Sequence, residues 1–193
     1  MTTATVHASR EEWLKAAIDE VRPMFAAEGL DLAPRIRVTC GFPAHHARSG
    51  RIGECHASAA SADQHYEILV SPVLADPARV FDVLIHELCH TLPGCMGHGL
   101  TFGKAAFAMG LAQVNSNWGS TVAGPDFATR YGAIIESLGA YPHAALMVSS
   151  KVQSTRMLKA ACPHCGYTIR LTKKWADLGL PECPVDHTPL ALA

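Results

Sequence analysis

No run in this 193-residue chain approaches the ~20 consecutive apolar residues needed to cross a bilayer. The first ten residues, Met1 to Arg10, lack the apolar stretch of a secretory signal. Cysteines stand at 40, 55, 89, 95, 162, 165 and 183, an odd number without an export signal, which argues against a disulfide framework. Free thiols and metal ligands are the expected roles, and the expected class is a soluble, cytoplasmic protein with no membrane contact. Net charge is close to absent as well, at −1. Its distribution is uneven. Residues 151–193 hold six Lys and Arg against three acids, and the first 150 hold ten against fourteen. Apolar residues make up 49% of the chain, enough for one ordinary domain, residues 1–150, and a small appendage, residues 151–193.

What the chain has is a dense run of metal-ligating side chains at His86-Glu87-Leu88-Cys89-His90, followed by Pro93-Gly94 and His98. Histidines four apart lie on one face of a helix, about 6 Å apart along its axis, so both imidazoles reach one metal ion. Glu87 stands beside them, where a carboxylate can act as general base toward water that the metal acidifies. Val80 to Ile85 supplies apolar residues at helical spacing ahead of the motif. A catalytic zinc takes three protein ligands and keeps one position open. The third ligand is not a downstream Glu, because none occurs between Glu87 and Glu136. The metzincin pattern needs Gly three and His six residues after the second motif His, whereas Pro93 and His98 stand three and eight after His90. Pro93 and Gly94 should stop the helix and turn the chain back, which makes His98 the expected third ligand. The alternative for His98 is an exposed loop histidine.

The surrounding pattern predicts an α+β domain. Ser9 and Glu12 form a capping box ahead of a helix with Trp13, Leu14, Ala17, Ile18 and Val21 on one side, ending near Gly29 and kinked or shortened at Pro23. Residues 36–40, 52–55 and 66–70 read as strands, and Asp76-Pro77 as the start of the motif helix. An edge of such a sheet beside the metal could hold an extended peptide. A helix is expected from Thr101 to Leu111, a loop from Asn115 to Gly124, and a helix from Asp126 to Leu138 closed by Gly139. Tyr131 and Tyr141 read as core and His143 as surface loop. Cys89 reads as a small buried side chain, with a redox-sensitive thiol as its alternative. Val148 to Arg156 reads as a linker.

A second metal signal follows it. Cys162-Pro163-His164-Cys165-Gly166 presents two thiolates from a tight turn, and Cys183-Pro184-Val185-Asp186-His187 comes seventeen residues later. Asp186 stands where a fourth cysteine would be. His187 is the expected fourth ligand beside Cys162, Cys165 and Cys183, because structural zinc sites are overwhelmingly Cys and His; Asp186 stays open as the alternative. Without metal, some thirty residues with so few apolar groups could not hold a fold.

These motifs, in this order, resemble the SprT-like zinc metalloprotease family, which includes the DNA–protein crosslink protease Spartan. The resemblance is carried by His86-Glu87-Leu88-Cys89-His90, by His98-Gly99 leading to Phe102, and by Cys162-Pro163-His164-Cys165-Gly166. Residues 51–55, 68–72 and 141–146 are similar to compact bacterial and phage members, so the match runs from about residue 38 to the end. The resemblance implies a small zincin-like domain followed by a C-terminal zinc ribbon. It implies one catalytic zinc on His86, His90 and His98 with Glu87 as the base, one structural zinc in the ribbon, and a protein as substrate. The Lys and Arg excess after residue 150, with Tyr167 and Trp175 available for stacking, suits contact with DNA and association with the nucleoid. A second class is a non-enzymatic zinc-binding adaptor, associated with nucleic acid or transcription, whose motif is vestigial. The intact Glu87 favours the enzyme, since a structural site has no use for a base there.

Overall fold

A computed structural model of the chain describes residues 5–44, 50–116, 118–148 and 157–193. The chain divides into two units, Met1–Val148 and Ser149–Ala193. The expected linker from Val148 to Arg156 lies, beyond its first residue, outside the described residues. Both units mix helix and strand. Among the described residues, no helix is long and apolar enough to cross a membrane.

The first unit opens with α1 (Arg10–Ala27), started by Ser9, whose hydroxyl accepts the Glu12 N–H at 3.2 Å. Pro23 does not shorten it. The proline sits on the exposed face, as does Asp19, the residue four before it whose carbonyl would have accepted its missing N–H. Trp13, Leu14, Ala17, Ile18, Val21 and Phe25 are buried on the other side. A three-stranded sheet follows from β1 (Ile36–Cys40), β2 (Gly53–His56) and β3 (Tyr66–Val70), in the order β1-β3-β2. β1 runs parallel to β3 and β2 antiparallel to it, with Gly53 opposite Val70 and Cys55 opposite Ile68. β2 is therefore an edge strand, and among the described residues no strand pairs with its other side.

The motif lies on α2 (Pro77–Cys89), which passes through the centre of the unit and buries nine of its thirteen residues. Asp76 caps it by accepting the Arg79 N–H at 2.7 Å, with Pro77 in the first turn. Phe81 meets Trp13, Phe127 and Tyr131 at ring-centroid distances of 5.3–6.3 Å. Each such buried side chain contributes roughly 1.5–3 kcal/mol, so the helix is held from several sides. It ends at Cys89 with His90 as its C-cap, and Pro93, which has no N–H to donate to the Cys89 carbonyl, could not have continued it. Successive turns then lead to Cys95, whose N–H donates to the Leu92 carbonyl.

Beyond it the expected helix is shorter and the expected loop is not all loop. α3 spans Leu100–Ala108, and Leu111 belongs instead to β4 (Leu111–Gln113). β4 pairs antiparallel with β5 (Thr121–Ala123), inside the segment expected to be irregular. α4 (Phe127–Leu138) closes at Gly139. Tyr131 and Tyr141 are buried and His143 is exposed, as expected for core and loop. Arg10 ties residues 142–144 down: its buried guanidinium donates to the carbonyls of Pro142, Pro72 and Ala144 at 2.8–3.1 Å.

The second unit holds β6 (Leu158–Ala161), β7 (Thr168–Leu171), a short α5 (Lys173–Ala176) and β8 (Ala191–Leu192). Its antiparallel sheet has the order β7-β6-β8. Ala160, Cys162, Cys183 and Leu190 are its fully buried core, with Ile169, Leu171 and Leu180 packed around them. A core of that size needs a further cross-link to stay folded.

Candidate functional site

α2 carries His86 and His90 one turn apart, and the turn after it brings His98 back to them. The His98 Nε2 lies 3.2 Å from His86 Nε2 and 3.1 Å from His90 Nε2. Two nitrogens of a tetrahedral zinc site, each about 2.0–2.1 Å from the ion, lie about 3.3 Å apart. The three imidazoles thus form a group whose ligand atoms can share one metal ion.

The far nitrogens are held as well. His90 Nδ1 is 2.7 Å from the Cys95 carbonyl, which can only accept, so the proton sits on Nδ1 and Nε2 keeps its lone pair for a metal. His86 Nδ1 lies 2.8 Å from the Thr121 hydroxyl on β5. Phe102 on α3 packs beneath all three rings, stacked on His90 at 4.4 Å and edge-on to His86 and His98 at 4.9 and 5.0 Å. Burial lowers all three histidines from their ordinary value, His86 to about 3 and His90 to about 4, which keeps these rings neutral in the metal-free chain.

The three histidines and Glu87 line one cleft of about 650 Å³. Gly53, Glu54 and Cys55 of β2, Gly119 to Thr121, and Arg79 with Asp82 also line it. Glu87 is 5% exposed, and burial, reinforced by the Glu54 charge, pushes its carboxyl up to about 8. Burial and the same Glu87 charge push the Cys55 thiol up to about 12. Cys89 is buried and its thiol is raised further, chiefly by burial, which suits an inert packing role.

In the second unit the fourth partner of the thiols is Asp186, and His187 stands outside the group, contrary to expectation. The two turns explain why. Gly166 N–H donates to Cys162 O at 3.1 Å, and His187 N–H donates to Cys183 O at 2.9 Å. Gly166 has φ 76° and His187 has φ 56°. The Cys162 and Cys183 sulfurs each accept an N–H two residues on, at 3.4 Å. The two turns therefore superpose residue for residue, with Asp186 in the place of Cys165 and His187 in the left-handed place of Gly166. Repeating Cys-Pro-x-Cys-Gly against Cys-Pro-x-Asp-His is the signal in the sequence that points to this.

The Thr188 N–H holds Asp186 Oδ1 at 3.1 Å, while Oδ2 lies 3.4 Å from the Cys162 sulfur. That contact and others hold the carboxyl down at about 2, with the Thr188 N–H the main cause. Cys165 and Cys183 sulfurs are 3.4 Å apart, too far for a disulfide bond of about 2.05 Å and near the ~3.8 Å edge of a thiolate zinc tetrahedron. Both groups are thus able to hold a metal ion.

Motif spacing did not single out Gly53, Thr121, Phe102 or the Cys95 carbonyl. Only the repeated turn, and the phenylalanine two residues into α3, left a trace in sequence. Comparison with family models, with curated proteins and with solved structures yields no match, so the residues themselves carry the functional reading.

Proposed function

We propose that this chain is a zinc-dependent endopeptidase of the SprT-like type, acting on proteins at or near DNA. The observation that carries the reading is the convergence of three imidazole Nε2 atoms in a cleft that also contains the buried Glu87 carboxyl. A purely structural metal site is closed by four protein ligands. Here three imidazoles meet where a cleft opens, and an acid that ligates nothing in the group stands beside them.

Zinc on His86, His90 and His98 would supply Lewis acidity, making water more acidic and polarising a carbonyl. The chain's own residues do the rest. Cys95 O and Thr121 Oγ1 hold the Nδ1 sides of the His90 and His86 imidazoles, leaving their Nε2 atoms to hold the metal if it is bound. With the positive charge of a bound metal offsetting the burial that raises the Glu87 carboxyl, its carboxylate takes the proton of the attacking water and delivers it to the leaving amine nitrogen. The side of β2 that no described strand pairs with offers backbone groups to an extended peptide, which suits a protein substrate over a small molecule.

Contact with DNA rests on the second unit. Lys159 and Arg170 face each other across β6 and β7, and both are exposed. Tyr167 and Trp175 are exposed too, with Lys174 over the Trp175 ring at 4.9 Å. Cations beside exposed aromatic rings suit a phosphate backbone with unstacked bases. In this reading the first unit is the zincin-like domain and the second a zinc ribbon. The test is incubation of the zinc-loaded chain with a disordered protein, with and without DNA. Wild type cleaves, and faster with DNA; Glu87→Gln keeps its zinc and does not cleave. Wild type that binds DNA without cutting any protein would favour the adaptor.

A further inference from the structure

Gly53 lies on β2 directly over Glu87. A Cβ built on its backbone would stand 2.9 Å from Glu87 Cδ and 2.8 Å from Val83 Cγ1, and closer still to Glu87 Oε1. Its backbone is outside the left-handed region, so conformation does not require glycine there. Space does. Gly53 is buried, and its neighbours two residues either way, Arg51 and Cys55, also line the cleft.

We infer that Gly53 is a positioning residue for Glu87: the missing side chain lets the carboxyl rest against the β2 backbone, at the wall where substrate would lie. This deepens the endopeptidase reading and rests on it. The contact ties the proton carrier to the strand that would pair with the peptide, so base and scissile bond share one rigid frame. A methyl group at position 53 makes two clashes, and both must be relieved. Val83 can shift, which costs packing, and Glu87 must turn away, because its carboxylate is the end of a flexible side chain. The fold survives the second adjustment, while the base is misplaced by an ångström or more. Misplacement on that scale costs on the order of 100-fold in rate.

Three variants of the full chain separate positioning from packing: Gly53→Ala, Val83→Ala, and the two together, each assayed for metal content, urea stability, kcat and KM on a disordered protein. Gly53→Ala should keep its metal and lose at least ~100-fold in kcat, with KM changed by less than about threefold. Adding Val83→Ala should restore stability and leave kcat low, since it clears the second clash and leaves the first. If Gly53→Ala does not fold, the double variant carries both readouts. A kcat in Gly53→Ala within about threefold of wild type, or its recovery with Val83→Ala, would overturn the inference. Should wild type cleave nothing, the endopeptidase reading fails, and the contact itself is read from stability. The destabilisation by Gly53→Ala should then shrink in a Glu87→Ala background, by at least about fivefold in the unfolding constant; no coupling would overturn the contact.

Discussion

Asp186→Ala and His187→Gly should move the second unit in opposite directions. Asp186 shares a group of ligand atoms, all within 4.8 Å of one another, with three thiols, whereas His187 has a left-handed backbone and no place in that group. A structural zinc contributes about 10–16 kcal/mol over four ligands, so losing one ligand costs on the order of 3 kcal/mol, or ~100-fold in affinity. His187→Gly removes no ligand and relieves a left-handed side chain, a gain of about 1 kcal/mol. The assay is competition for zinc against a chromophoric chelator in the full chain, followed by the cobalt spectrum of each variant. Asp186→Ala should release metal ~100-fold more readily and alter the cobalt bands. His187→Gly should hold metal at least as tightly as wild type, with unchanged bands. Loss of metal in His187→Gly, with retention in Asp186→Ala, would refute the equivalence of the two turns.

In the metal-free chain the Glu87 carboxyl is pushed up to about 8 from its ordinary 4.5, so between those values the folded state keeps a proton that the unfolded state has lost. Stability should therefore fall as pH rises across that window, and Glu87→Gln should flatten the slope in urea titrations of chelated protein. Equal slopes in the two proteins would contradict the burial of this carboxyl. Arg10→Met should lower stability by about 3 kcal/mol, because the carbonyls of Pro72, Pro142 and Ala144 lose a buried charged donor. Its metal content should not change, and a urea midpoint equal to wild type would show that Arg10 is not the pin.

Much of α1 and of the motif helix α2 was legible locally. Ser9 with Glu12, Asp76 with Pro77, and His86 with His90 are patterns within a single helix, where spacing alone decides who meets whom. His98 was legible because Pro93 and Gly94 leave the chain little choice but to turn. The β4–β5 hairpin was not, since three-residue strands carry no periodicity and are specified only by their pairing. Thr121 reaches His86 from 35 residues away, and Gly53 reaches Glu87 through the packing of a strand edge on a helix. The structure groups Asp186, not the expected His187, with the three thiols, for a geometric reason. Histidine is the commoner zinc ligand, but position in the turn, not residue preference, decides which side chain faces the sulfurs.

Metal content of the purified full chain tests the central claim most directly. Native mass spectrometry should find two zinc ions per wild-type chain, one in His86→Ala and one in Cys162→Ser. The ion remaining in His86→Ala should be the thiolate-bound one, and the ion remaining in Cys162→Ser the one beside Glu87. His86→Ala that keeps both ions would contradict the claim that His86, His90 and His98 share a metal.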